Sequence, residues 1–175
     1  MSRGTPETTR HSARAEPTNV LVSIEGAAAD ETVVRAAGQF VARTGGRLTV
    51  LNVMPTGAFA DRQRARGRLP GFGRFTHAQA ETERRASAEH VADEALAGLG
   101  IEYDCVGRVG RETNRILAEA DERDCRRVFL SNRRRSSLGA MRASRVVDDL
   151  FDSFDGQVTV VQSVDASEPR QNELV

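Results

Sequence analysis

The chain has 175 residues, 39% hydrophobic and 29% charged, which suits one domain with a sizeable core and leaves little room for a second. Lys plus Arg and Asp plus Glu are equal at 25 each, so overall charge argues for neither a nucleic-acid nor a membrane partner. All 25 of the former are arginine, and the absence of lysine excludes a Walker-type lysine, a Schiff-base lysine and a lysine general base.

Residues 1–17 are polar and aperiodic and predict a disordered tail. They lack the apolar core of a secretory signal, and no run in the chain reaches the ~18 apolar residues of a membrane span, so a cytoplasmic protein is expected. Residues 19–24 (NVLVSI) read as a buried strand. Asp30 then reads as the N-cap of a helix carrying Val33, Ala36, Ala37, Phe40 and Val41 at helical spacing, which Gly45 and Gly46 stop. Residues 47–53 (RLTVLNV) are a second strand, completing a right-handed βαβ unit.

Residues 54–75 are rich in Gly, Pro and Arg and predict a long mobile flap without structure of its own. Its arginines, with Phe72 and Phe75 for stacking, allow an RNA- or anion-binding module, although a solvated loop is the simpler reading and a nucleic-acid partner is not expected. Thr76 and Gln79 form a capping box for a helix that ends near Leu99 and Gly100. Residues 101–109 predict a third strand, 112–123 a helix around Ile116, Leu117 and Ala120, and Val128 to Leu130 a fourth strand. An Arg-, Ser- and Gly-containing loop follows. A last helix is predicted from Ser144, through Val146, Val147, Leu150, Phe151 and Phe154, and a final strand over 157–164 (QVTVVQSV). The tail from 165 to 175 is polar.

Five strands and four helices in strict alternation predict one open, doubly wound α/β sheet over residues 18–164, with helices on both faces. Ligands of such sheets bind beyond the carboxyl ends of the strands, which places Ser23 and Glu25 after the first strand beside Leu130 and Ser131 after the fourth. A loop leading into a helix N-terminus there has the elements of an anion site, because the first helical N–H groups are unpaired.

The order and spacing of VLVSIEG, LTVLNVMP, VGRETNRILAEADE before VFLS, NRRRSSLG and a closing VTVV resemble the universal stress protein (UspA-like) family over nearly all of 18–164. The resemblance implies strand order 3-2-1-4-5 and a homodimer through the last strand. It also implies an ATP site at Gly-x-x-Gly, nine residues, then Gly-Ser or Gly-Thr. In this sequence Ser131, Arg134 and Ser144 stand at the three glycine positions and Arg145 at the hydroxyl position, while Glu25 matches a family Asp. The family nucleotide-site positions, degenerate here, are Ser23, Glu25, Leu130, Ser131, Arg133, Arg134, Ser144, Arg145 and Val146. Side chains where backbone must approach phosphate argue against ATP. Against that, Arg133, Arg134, Arg135 and Arg145 supply bidentate donors that replace backbone N–H groups for some anion.

Other candidates have plainer readings. Cys105 and Cys125 lack metal spacing and read as inert core thiols. His11, His77 and His90 have no catalytic or metal-spaced partner and read as surface residues. Glu81, Glu83, Arg84, Arg85 and Glu89 read as a solvated helix face, and Asp148 and Asp149, adjacent on a helix, do not share a proton. No nucleophile–base pair or metal set is evident, so the expected protein is a non-catalytic, ATP-independent binding or regulatory dimer of the stress response without cofactor. The alternative is an ATP-binding member of the same family.

Overall fold

The computed structural model describes residues 16–132 and 137–162, and on the last helix the side chains from Arg145 onward. Residues 1–15, 133–136 (including Arg133, Arg134 and Arg135) and 163–175, which hold most of the predicted tails, lie outside the described residues. The elements run β1 (Asn19–Ile24), α1 (Asp30–Thr44), β2 (Leu48–Met54), α2 (Thr56–Gly67), α3 (His77–Ala95), β3 (Tyr103–Val109), α4 (Glu112–Glu122), β4 (Cys125–Asn132), α5 (Ser137–Ser153) and β5 (Gln157–Gln162).

All strands pair in parallel in the order β3-β2-β1-β4-β5, as expected. β1 and β2 are buried along nearly their whole length, because helices cover both faces of the sheet. Alternation sends Val20, Val22, Ile24 and Val50 under α1 and α3, and Leu21, Leu51 and Val53 under α4 and α5. A bulge opposite Asn19 and Val20 shifts the phase of β4, so that Phe129 joins the first core while Cys125, Val128 and Leu130 join the second.

Two expectations are corrected here. Among the described residues there are five helices, not four: the predicted flap contains α2, whose Phe59 packs with Phe75, Met54, Ala80 and Val109 in a third apolar cluster. The Gln63 side chain donates to the Phe75 carbonyl at 3.0 Å and Arg62 pairs with Glu83, so the segment is folded against α3. Phe59 is the only buried residue of α2, and a helix with a single anchor has no apolar period to read. The last helix begins at Ser137 and not at Ser144. The capping box of α3 forms as predicted, with Gln79 N–H to Thr76 Oγ1 at 3.2 Å and Thr76 N–H to Gln79 Oε1 at 3.0 Å.

Candidate functional site

β1 is the central strand, and chain order reverses across its pairing with β4. Ser23 and Leu130 are register partners at that switch point, and Ser131 is the next residue of β4, so these three predicted positions come together. Leu130, however, is buried in the core under α4 and α5, so its side chain supports the crevice floor.

Ser23 is also buried, and its hydroxyl donates to Glu112 Oε1 at 3.2 Å. Glu112 is the first residue of α4, a position that carboxylates favour because the helix N-terminus carries partial positive charge. Beside it, Thr113 Oγ1 and the Arg111 guanidinium both donate to Asp149 Oδ2 at 3.3 Å, which ties α4 to α5. The α4 side of the crevice therefore holds two carboxylates. In the sequence Asp149 figures only as a possible pair with Asp148, and Glu112 goes unmarked, although its place at the head of a predicted helix is a usable signal. Asp149 is turned to α4.

The loop after β1 is closed from within. Asp30 does not act as the predicted N-cap. It is the first helical residue, and its buried carboxylate reaches back to accept the N–H groups of Glu25 at 3.1 Å and of Gly26 and Ala27 at 2.8 Å. The backbone donors that a bare loop would offer an anion are thus already taken by a carboxylate. Gly26 has φ +87°, and a Cβ there would fall 2.3 Å from Ser87 Oγ and 3.0 Å from Asn52 Nδ2. The Glu25 side chain is exposed at the edge of this loop.

On the α3 side, Arg84 departs from the predicted solvated face. It is half-buried and donates to Asn52 Oδ1 at 3.4 Å, a long contact. Burial, then the nearby Arg62 charge, lowers its pKa from the ordinary arginine value. Asn52 is fully buried, and its Nδ2 has no hydrogen-bond partner. Of the remaining predicted positions, Arg133 and Arg134 lie outside the described residues. Ser144 and Arg145 lie about two turns inside α5, beyond the first four residues whose N–H groups lack helical partners. Arg145 is exposed, and Val146 packs against the core under α4 and α5.

The predicted inert thiols are core residues: burial pushes Cys105 up to about 12 and Cys125 up to about 11. His77 is exposed, its ring 4.3 Å from that of Phe59. Among the described residues no group of three or more His, Cys, Asp or Glu is placed to hold a metal ion, and no helix is long and apolar enough to cross a membrane.

A single parallel sheet in this order, with its crevice between β1 and β4, defines a doubly wound α/β fold. The description "Universal stress protein family" matches residues 17–162, and the chain belongs to that family. Among solved structures it is similar to a universal stress protein in complex with cAMP, at 16% identity and TM-score 0.57 over 85% of this chain and 99% of that one. It is similar to the universal stress protein from Archaeoglobus fulgidus in complex with dAMP, at 16% identity and TM-score 0.53 over 82% and 96%. UspA from Lactobacillus plantarum aligns at 16% identity and TM-score 0.51 over 84% and 99%. At these identities the likeness is one of fold. No curated protein matches the chain.

Proposed function

We propose that this chain is a non-catalytic binding or regulatory protein of the stress response, a cytoplasmic homodimer that works without ATP. The observation that carries this reading is the Ser23–Glu112 hydrogen bond at the switch point. It occupies a hydroxyl donor beside the crevice and adds a carboxylate where a nucleotide would bring phosphate. The Asp30 carboxylate on the N–H groups of Glu25, Gly26 and Ala27, and the position of Ser144 and Arg145 inside α5, support the same reading, since these backbone donors are already engaged.

The second reading is an ATP- or nucleotide-binding member of the family, favoured by the relatives solved with cAMP and dAMP. Titration calorimetry with ATP at moderate salt separates the two. The expected result is weak, salt-sensitive heat that does not distinguish ATP from tripolyphosphate. Saturable, adenine-selective binding at about 50 µM or tighter would overturn the ATP-independent reading. Glu112→Gln probes the cause: with the carboxylate removed, residual anion affinity is expected to rise.

A further inference from the structure

The segment between β2 and α3 carries a surface that the crevice does not use. Between residues 56 and 75 stand Arg62, Arg64, Arg66, Arg68 and Arg74 against one acid, Asp61. Arg64 pairs with Asp61, and Arg62 with Glu83 of α3. Arg66 lies over the Phe72 ring at 5.9 Å from its centroid, an arrangement that leaves in-plane N–H donors for an outside acceptor. Arg68 and Arg74 are exposed on either side of the same turn.

Beneath this collar is a cavity of about 310 Å³ lined by Arg62, Ala65, Arg66, Leu69, Phe72 and Phe75. Its inner wall is fixed: Phe75 is 2% exposed and lies under Arg62, 4.6 Å from ring centroid to guanidinium carbon. Its outer wall faces water, with Leu69 54% and Phe72 62% exposed. A turn holds both side chains out. Pro70 and Gly71 form its corner, Gly71 has φ +81°, and the Phe72 N–H points at the Leu69 carbonyl at 3.5 Å. A proline-stiffened turn loses little entropy when a partner binds.

We propose that this cavity docks a short acidic peptide segment of a partner protein, which seats one bulky apolar side chain between Leu69 and Phe72 and sets flanking carboxylates on Arg66, Arg68 and Arg74. Charge complementarity selects the sign of the partner, since this surface is strongly basic on a chain that is neutral overall. Concavity selects the kind: a bilayer takes a protruding apolar tip, whereas a hole takes a side chain. Phe75 is 2% exposed and covered by Arg62, so Phe72 alone presents an open ring here, one platform and not the succession that single-stranded RNA uses. This inference rests on the reading of the chain as a binding protein, and names what it binds away from the crevice. An ATP titration leaves it untouched, and its own failure leaves the crevice reading standing.

The test is a selection of random displayed peptides on the full chain, counter-selected on Phe72→Ala. Enriched peptides are expected to combine an aromatic or large aliphatic residue with flanking Asp or Glu. A synthetic peptide of that kind should lose roughly tenfold in affinity or more on Phe72→Ala. It should weaken again on Arg66→Gln with Arg68→Gln, and weaken with salt. Both sets of side chains are at the surface, and circular dichroism checks that the variants keep the fold. Enrichment of nothing, enrichment of non-acidic peptides, or indifference to Phe72→Ala overturns the proposal. So does a fluorescent oligouridylate that binds this surface more tightly than the selected peptide at equal salt.

Discussion

Arg108 and Glu119 meet between β3 and α4, the guanidinium Nε 2.5 Å from Oε1 of a carboxylate that is only 4% exposed. The second oxygen of Glu119 accepts Arg123 Nε at 3.1 Å, so one buried carboxylate holds two half-buried guanidiniums. Arg123 continues to Asp104 at 3.4 Å and Asp104 to Arg47 at 3.2 Å, a charge ladder along the outer strand.

Glu119→Ala strands Arg108 and removes the main partner of Arg123. We expect a loss of about 2–4 kcal/mol in unfolding free energy, below the cost of a fully buried orphan charge because both guanidiniums still reach water. Glu119→Gln keeps an acceptor and costs less. Urea unfolding measures both, and an Ala variant as stable as the parent would remove the ladder from the list of what holds β3 to α4.

Gly26→Ala is expected to destabilise the protein by about 1–3 kcal/mol, from left-handed backbone and from contact with Ser87 Oγ. The two causes are separable. In a Ser87→Ala background the 2.3 Å contact is gone, and the former Ser87 Cβ position, at 3.5 Å, is an ordinary van der Waals neighbour. The backbone strain and the close Asn52 amide remain. A double-mutant cycle should therefore show partial rescue. Full additivity would mean that the hydroxyl simply rotates away.

The raised thiols give a pH dependence. Burial lifts Cys105 to about 12 and Cys125 to about 11, and the hydrogen bond to Asp93, followed by burial, lifts Tyr103 to about 12. Each group holds its proton more tightly folded than unfolded, so its contribution is complete below the unfolded pKa and is lost as pH rises through the folded value. Stability should fall between about pH 9 and about pH 12. At neutral pH a disulfide-exchange reagent should label the native thiols far more slowly than the urea-unfolded ones. Equal labelling rates would show that the thiols are not held by the fold.

The five strands, most of the helices and the capping box were legible because each leaves a local mark: continuous apolar strands, 3.6-residue periods, and a Thr and Gln three residues apart. The strand order leaves no such mark and was implied only by the resemblance to the family. α2 left none, since Phe59 alone anchors it and glycine and arginine fill the rest. The start of α5 was misread because Ser, Arg and Gly looked like loop, while the apolar stripe that marks the helix begins only at Val146. Ser23 and Leu130 do pair at the switch point of the sheet, but the side chains around them were not foreseen. Glu112 enters from a helix far along the chain, and the reach of Asp30 is backward, against the usual direction of a cap. The first is a contact across 89 residues that its place at a helix head only hinted at, and the second is local but runs opposite to the usual cap.

The last prediction concerns the outer edge of the sheet. Among the described residues β5 pairs only with β4, so its other side presents unpaired backbone groups. Val160 is 39% exposed on that strand, and Phe151 is 62% exposed on α5, which packs against the same strand. The sequence had placed Phe151 on the apolar face of its helix. In the isolated chain it faces water, and an open edge flanked by exposed apolar side chains is a surface that a second copy would cover. A two-fold pairing brings each patch against its own equivalent, so every substitution acts twice. The parent chain is expected to scatter light as a dimer, and Phe151→Asp with Val160→Asp should weaken that dimer by roughly a hundredfold or more, since four carboxylates would then face one another across the axis. Neither side chain belongs to the buried core, so the variant should keep its circular dichroism spectrum. A parent that remains monomeric at high concentration, or a double variant as dimeric as the parent, places the interface elsewhere or removes it.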